Sequence, residues 1–218
     1  MIAGFIDGPL WYFSLTVFCI GVLWKLASII FGKRKNDLSV ARASGIPGAI
    51  KTVFSRFKAD KGMVPHIRVQ IVAGYMFHLG LFAVLFFAAP HILFIEENLF
   101  NLDKIGINWL AMPHWAFIVA SEFAFLGLLM LWLHRLMNPV SRLISTADDH
   151  IAAILTFVVM LTGCMALLEG FSELRLLHRF CVELFLIYFP FSRLIHAFTF
   201  IPSRAFTGAW FGRRGISS

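Results

Sequence analysis

The chain has 218 residues, of which 59% are hydrophobic and only 14% charged, and its mean hydropathy is +0.81. A soluble domain carries about a quarter charged residues, so this composition excludes a soluble globular protein and predicts an all-α integral membrane protein. The net charge of +7 lies mainly in loops, which indicates membrane topology and no nucleic-acid partner. The three cysteines form no CxxC or CxxCH motif, so neither an iron–sulfur site nor a covalent c-type haem is encoded.

Five apolar segments are long enough to cross a bilayer as transmembrane helices. They cover approximately residues 9–31, 69–95, 109–133, 151–168 and 176–200, within a single membrane domain over residues 1–218. Lysine and arginine concentrate in the loop at 32–68, in the loop between the third and fourth segments, and in the C-terminal tail. By the positive-inside rule, the N-terminus lies outside and the C-terminus in the cytoplasm.

The basic loop at 32–68 contains a second helical pattern. Ile50, Val53, Phe54 and Phe57 recur at helical spacing, with lysine and arginine on the other faces. This predicts an amphipathic helix over approximately residues 47–59 that lies on the cytoplasmic headgroups. A docking element for a cytoplasmic partner is the alternative interpretation.

Five of the eight histidines fall inside the predicted spans: His78 and His91 in the second, His114 at the outer end of the third, and His178 and His196 in the fifth. Ionisable residues inside a membrane are costly and usually functional, and neutral imidazole is an axial ligand of haem iron. His178 and His196 are 18 residues apart. On one straight helix they would share a face, roughly 27 Å from each other.

The second and fifth spans are expected to run antiparallel. His196 then lies at the cytoplasmic level with His78, and His178 lies at the outer level with His91. We therefore predict two bis-histidine sites stacked across the membrane, each holding a noncovalent haem b. Interhelical hydrogen bonds are the alternative role for these imidazoles.

The separation of His78 and His91 by 13 residues is a difficulty, because a straight helix turns by about 220° over that distance. Pro90, directly before His91, can kink the helix and redirect its last turn. His114, beside a proline at the outer end of the third span, is the substitute ligand.

Three arginines lie close to the predicted ligands in sequence. Arg175 and Arg179 flank His178, and Arg193 precedes His196 by three residues. Charge-assisted hydrogen bonds from these guanidinium groups suit haem propionates; simple interfacial anchoring is the alternative for Arg175 and Arg179.

The chain resembles the respiratory nitrate reductase gamma subunit family. The run FPFSRLIH at 189–196, with a histidine 18 residues before its last one, is similar to that family's last span. MFHLGLF at 76–82 is similar to its second span, and LHRLMNPVSRLISTADDH at 133–150 to its loop between spans three and four. The resemblance covers most of residues 65–200.

The resemblance implies a di-haem cytochrome b subunit of a bacterial or archaeal cytoplasmic membrane. Such a subunit exchanges electrons between membrane quinol or quinone and a cytoplasmic iron–sulfur subunit. It also implies that His78 and His196 hold the inner haem, and His178 and His91 the outer one. The wide histidine spacing and the long basic loop look more like relatives coupled to heterodisulfide-reductase-like proteins, including sulfite-reductase-associated complexes, than like the nitrate reductase branch.

Two other functions fit parts of this pattern. A membrane anchor with one haem or none would serve mainly to dock the cytoplasmic partner. A small transporter would use intramembrane histidines and the span carboxylates Glu122 and Glu183 as proton carriers, but the chain lacks the internal repeats of such folds. In the cytochrome, these two glutamates are candidates for a proton or quinone role, with interhelical hydrogen bonding as the alternative.

Overall fold

Helices form every element of secondary structure in the computed structural model, which describes residues 2–32, 40–98, 109–168 and 171–216. Ten α-helices follow one another along these residues: α1 Ile2–Phe5, α2 Trp11–Phe31, α3 Gly45–Ser55, α4 Val64–Phe87, α5 Ala89–Asn98, α6 His114–Met137, α7 Pro139–Leu143, α8 Ala147–Met165, α9 Ser172–Tyr188 and α10 His196–Arg213. A π-helical segment joins α1 to α2, and two short 3₁₀ turns separate α9 from α10.

Four helical stretches are long and apolar enough to cross a membrane, and they correspond to the first four predicted spans. They are Ile2–Phe31, Val64–Phe87, His114–Met137 and Ala147–Met165. Many of their large side chains face outward: Trp24 is 73% exposed and Phe31 80%. Hydrocarbon tolerates such a surface and water does not. The described residues therefore have the transmembrane character that the composition predicts.

The fifth predicted span, over approximately residues 176–200, is not one continuous helix. Ser172–Phe191 and Arg193–Arg213 form a pair bent by 79°, which makes a fifth crossing only if the pair is counted as one broken span. Pro190 lacks the N–H that would continue the helical bonding, and Ser192 is extended, with φ −104° and ψ 176°. His178 and His196 therefore do not lie on one face of a continuous helix.

Contacts on both sides hold this bend in place. Asp148, at the start of α8, accepts a hydrogen bond from the Tyr188 hydroxyl and another from the Arg193 backbone N–H, the latter at 2.9 Å. On the other side, a Cβ on Gly21 of α2 would lie 2.5 Å from the Pro190 ring. The proline can therefore pack against α2 only because residue 21 has no side chain. The bend is a packed feature of the fold.

The described residues form two compact units. The first comprises Met1–Met63 with Ala147–Ser218, and the second is Val64–Thr146. In the first unit, α9 packs against α2 and α8, while α3 packs against α10. In the second, α4 and α6 form the principal helix pair.

Small residues bring α4 and α6 together. A Cβ on Gly80 would lie 2.4 Å from the Ala120 carbonyl oxygen, and one on Gly127 would lie 2.4 Å from the Phe77 nitrogen. Ala73 and Ala124 are completely buried in the same contact. Backbones approach this closely at membrane helix interfaces when glycine and alanine line the seam.

Part of the segment predicted to form an amphipathic helix is helical as α3, which begins at Gly45 and ends at Ser55. Its apolar side chains Ile46, Ile50 and Phe54 are 57–70% exposed. Its other face, with Gly48, packs against α10. The predicted basic loop is described only in part, because residues 33–39 lie outside the described ranges.

Candidate functional site

His78 lies on α4 in the second unit, half-buried one turn beyond Gly74. Its Nδ1 is 2.7 Å from the Gly74 carbonyl oxygen. The rings of Phe77 and Phe82 lie 4.9 and 6.1 Å from the imidazole, measured between centroids. Gly80 brings α4 close to α6 two residues beyond His78, so the imidazole lies on a helix that is closely packed against its neighbour.

His91 lies just after an interruption of the second predicted span. Helix α4 ends at Phe87, Ala88 is non-helical, and α5 begins one residue before Pro90. His91 Nδ1 is 3.0 Å from the Val84 carbonyl oxygen, seven residues earlier. The interruption occurs where Pro90 predicts it. It ties the His91 ring back to the last turn of α4.

The interruption frees the Phe87 carbonyl, because the His91 N–H donates to the Ala88 carbonyl at 3.0 Å instead. The Phe87 carbonyl accepts a hydrogen bond from the Met112 N–H at 2.8 Å. Satisfied backbone groups are needed for a helix break to persist in an apolar setting. The position of His91 is therefore defined by backbone bonding.

His178 lies on α9 in the first unit and faces α8. Its Nδ1 is 3.2 Å from the hydroxyl oxygen of Thr162, a residue only 6% exposed. A Cβ on the neighbouring Gly163 would lie 3.0 Å from the imidazole Cε1. Threonine and glycine at adjacent positions thus provide a polar contact and a space for the half-buried ring.

His196 is the first residue of α10, beyond the bend, and it is exposed. Its Nδ1 is 2.7 Å from the Arg193 carbonyl oxygen. The pairing of His196 with His78 at one depth was predicted from a straight fifth helix. The bend removes that premise, and the choice of His196 as a ligand stays a prediction.

The four imidazoles share one chemical feature. A carbonyl oxygen cannot donate a hydrogen bond, so in the neutral form the Nδ1 of His78, His91 and His196 must carry the hydrogen. The Thr162 hydroxyl donates to the Val158 carbonyl at 2.9 Å, so it accepts from His178 in the same way. In the neutral form, all four rings therefore keep the lone pair on Nε2. A hydrogen bond of this kind at Nδ1 is typical of metal-ligating histidine.

The predicted propionate partners are engaged differently from one another. Arg179 forms an ion pair with Asp7 in the π-helical segment. Arg193 Nε lies 3.4 Å from an Asp149 carboxylate oxygen, and its side chain is 59% exposed. Arg175 is exposed on the first turns of α9. The structure thus gives Arg179 and Arg193 protein partners, and their role toward a propionate stays a prediction.

The remaining candidates separate by burial. His114, the substitute ligand, is exposed at the start of α6, and Glu122 is exposed on the same helix. Glu183 on α9 is only 2% exposed, and its Oε2 has no hydrogen-bond partner among the described residues. Of the two span carboxylates, Glu183 is therefore the one whose environment distinguishes it from a surface residue.

Sequence reasoning missed Thr162 and Asp148. Thr162 precedes Gly163 on an apolar span, and nothing in the local pattern separates it from Thr156, which is also buried. Asp148 reaches the bend from 40 residues away in sequence, which only the three-dimensional packing reveals. The available signal was Pro190, whose effect on a continuous helix is predictable.

The predicted pairs His78 with His196 and His91 with His178 each take one residue from each compact unit. The pairing itself is therefore a prediction. What the described residues establish is the local setting of each ring: each is oriented by a hydrogen bond at Nδ1, and three of the four are half-buried. Taken one at a time, these rings have the chemistry that an axial ligand of haem b needs.

The fold and these positions define a helical protein with several helices that could cross a membrane and with histidines built into them. No protein-family model matches the chain. It is 30% identical over 220 residues to a protein of Nitratidesulfovibrio vulgaris strain Hildenborough, named only "Protein", with 94% of this chain and 91% of that protein covered. The chain belongs to the same family as that protein.

Proposed function

We propose that the protein is a di-haem cytochrome b subunit that transfers electrons between membrane quinol or quinone and a cytoplasmic iron–sulfur subunit. The observation that carries the proposal is the shared setting of His78, His91, His178 and His196. Each Nδ1 faces a hydrogen-bond acceptor at 2.7 to 3.2 Å. One tautomer repeated at four predicted ligand positions is what axial coordination through Nε2 requires.

The packing of α3 on α10 supports the five-span topology included in this proposal. The Arg42 N–H donates to the Arg213 carbonyl at 2.8 Å, so both segments lie on the same side of the membrane. Four apolar helices, α4, α6, α8 and α9, separate them along the chain. Four crossings return the chain to the side from which it started, as the contact between the two segments requires. With α2 included, the chain crosses the membrane five times. The basic residues of both segments favour the cytoplasm for that side.

In this proposal, the bent pair of Ser172–Phe191 and Arg193–Arg213 is the fifth crossing, and α9 supplies the part that traverses the hydrocarbon. With its following 3₁₀ turn it would extend about 31 Å, close to the thickness of the hydrocarbon layer. His178 lies near its outer end, and the bend with Arg193 and His196 lies at its cytoplasmic end. The bend turns α10 onto the cytoplasmic surface, where a partner subunit can reach it.

In this proposal, the chain holds and orients its cofactors through side chains. Bound haem b would supply a one-electron couple at each of two levels. Thr162 fixes the ring of His178 and the Val84 carbonyl fixes that of His91, while the Gly74 and Arg193 carbonyls fix the other two. In this proposal, the apolar helices keep water from the half-buried rings of His78, His91 and His178, and one haem lies near each membrane surface.

Glu183 is the candidate for a proton or quinone role in this proposal. Its carboxyl is buried, and its Oε2 has no hydrogen-bond partner among the described residues. Quinol oxidation would then release protons outward while electrons move toward the cytoplasm.

A second candidate follows from the exposure of His196 beyond the bend. If His196 does not bind haem, the protein is a membrane anchor with one haem or none that mainly docks the cytoplasmic partner. The exposed α10 would be the docking helix. The two functions differ in haem content and in the effect of replacing each histidine.

The test is haem content in two histidine variants of the purified protein. We expect H91A to lose one of two haems and to keep the other, because only the outer site loses a ligand. H114A, which changes the exposed substitute ligand, is expected to keep both and to remain reducible by a quinol analogue. Unchanged haem content in H91A together with loss in H114A would transfer the ligand role to His114. Unchanged content in both variants would refute the outer site.

A further inference from the structure

A pocket of about 430 Å³ lies between α3 and α10, and none of the four histidines discussed above lines it. Its lining residues all carry hydrogen-bond donors: Thr52, Arg56, Ser203, Arg204 and Thr207. Neither α3 nor α10 contains an aspartate or glutamate. The pocket therefore has two guanidinium groups, three hydroxyl groups and no carboxylate from the helices that form it.

The walls of the pocket are fixed by close helix packing. A Cβ on Gly208 would lie 2.2 Å from the Gly48 carbonyl oxygen, and one on Gly48 would lie 2.4 Å from the Gly208 carbonyl oxygen. Thr52 is 1% exposed beside this contact. Glycine at both positions lets the backbones touch, so the residues on either side keep a constant separation.

Arg204 is oriented before any ligand arrives. Its guanidinium lies 4.9 Å from the centroid of the Phe57 ring and 5.2 Å from that of Phe200. Its Nη1 also donates to the Val53 carbonyl at 3.4 Å. Cation–π contacts with the two rings and the hydrogen bond to the carbonyl thus restrain the orientation of the guanidinium group. An arginine held in this way loses less freedom when it binds an anion.

Two of the three hydroxyl groups that line the pocket already donate a hydrogen bond to a backbone carbonyl. Thr52 donates to the Gly48 carbonyl at 2.8 Å, and Thr207 donates to the Ser203 carbonyl at 2.9 Å. The donors toward a ligand are therefore the guanidinium groups of Arg56 and Arg204 and the Ser203 hydroxyl. Planar guanidinium donors match the oxygens of phosphate and carboxylate groups, with which they form paired hydrogen bonds.

The surroundings of the pocket indicate where the phosphate comes from. Ile46, Ile50 and Phe54 are exposed on α3, and Phe206 and Trp210 are partly exposed on α10. Cationic residues beside exposed apolar and aromatic side chains are the composition of a helix at the headgroup level of a membrane. Phospholipid headgroups carry phosphate at that level.

We propose that the pocket between α3 and α10 binds the phosphate group of an anionic phospholipid, with Arg56 and Arg204 as its charged ligands. The lipid would hold this helix pair at the membrane surface. Free inorganic phosphate offers the same chemistry from solution, so the experiment must separate the two sources. The proposal does not depend on the cytochrome function.

The experiment measures lipid binding to the full-length protein, purified in detergent and stripped of lipid, by native mass spectrometry. Phosphatidylglycerol is titrated into the wild type and into R56Q and K51Q. Both replaced residues are exposed cations in the same region, and only Arg56 lines the pocket. We expect R56Q to bind the first phosphatidylglycerol roughly tenfold or more weakly, because it loses a charge-assisted hydrogen bond, while K51Q changes by about twofold at most.

Three further measurements complete the test. S203A, which removes a neutral donor, should weaken binding by less than R56Q does. Thermal unfolding of each variant identifies one that fails to fold. Inorganic phosphate at millimolar concentration should not displace the lipid. Equally weaker lipid binding in R56Q and K51Q would show that the lipid is attracted by general positive charge, and would refute a specific site in the pocket. Displacement by inorganic phosphate would show a free-phosphate pocket and overturn the lipid assignment.

Discussion

Replacing Thr162 with valine tests whether His178 is oriented as a metal ligand. The two side chains have nearly the same shape, so the change removes the hydroxyl oxygen that lies 3.2 Å from His178 Nδ1 and leaves the volume in place. Thr162 is 6% exposed, so water does not readily replace the hydroxyl. Loss of an outer-shell partner of a ligating histidine typically weakens metal binding 10- to 100-fold, or by about 1.4 to 2.8 kcal/mol.

Thr156 supplies a matched control on the same helix. It is 5% exposed, and its hydroxyl donates to the Ala152 carbonyl at 2.7 Å. T156V therefore measures the cost of the same substitution in α8 without a histidine contact. We expect T162V to lose the outer haem during detergent exchange while it keeps the inner one, and T156V to keep both.

The assay is a pyridine haemochrome measurement per chain combined with a potentiometric titration. In T162V, one of two redox components should decrease or shift while the other is unchanged. Equal haem retention in T162V and T156V, with identical titrations, would show that the Thr162 contact does not orient a haem ligand.

Two further substitutions test the packing that positions the ligands. G80A puts a Cβ 2.4 Å from a backbone carbonyl of α6 and should destabilise the protein by about 1–3 kcal/mol. The control G74A, on the same helix, meets nothing within 4 Å and should be neutral or slightly stabilising. Equal midpoints of thermal unfolding in detergent for the two variants would contradict the close α4–α6 contact. Y188F removes the hydroxyl that is hydrogen-bonded to Asp148 at the bend and should lower the free energy of unfolding by roughly 1–2 kcal/mol. Its control is Y12F, which should cause no change because Tyr12 is 69% exposed. Equal stability of the two variants would mean that this hydrogen bond does not support the bend.

The sequence predicts the membrane helices well because hydropathy over some 20 residues is a strong signal. The segments at 9–31 and 151–168 correspond closely to Ile2–Phe31 and Ala147–Met165. Pro90 likewise predicts the interruption ahead of His91, since the missing N–H is a local property of the chain. These features depend on nearby residues only, and for that reason they can be inferred from the chain alone.

The bend before His196 is different, because it depends on distant contacts. The segment FPFSRLIH is as apolar as the helix that precedes it, so hydropathy alone continues the span to residue 200. The bend requires the hydrogen bonds to Asp148 of α8 on one side. On the other side it requires glycine at position 21 of α2, where a side chain would collide with Pro190. A proline kink was predictable here, but a turn of 79° was not.

The orientation of the imidazoles shows the same limit. The sequence identifies His178 as a candidate, but the hydroxyl that fixes its tautomer comes from Thr162, 16 residues away. For His78 and His196 the acceptors are carbonyls four and three residues earlier, which regular helical geometry supplies. Local geometry therefore predicts part of the site, and helix packing determines the rest.

The most direct test of the cytochrome function is the haem content of the purified full-length protein, produced with sufficient haem. A pyridine haemochrome assay and a reduced-minus-oxidised spectrum should show two b haems per chain, at least partly reducible by a quinol analogue. One haem per chain would favour the anchor function with a single site. A folded protein without haem under these conditions would contradict the cytochrome function and leave the four histidines with hydrogen bonding alone.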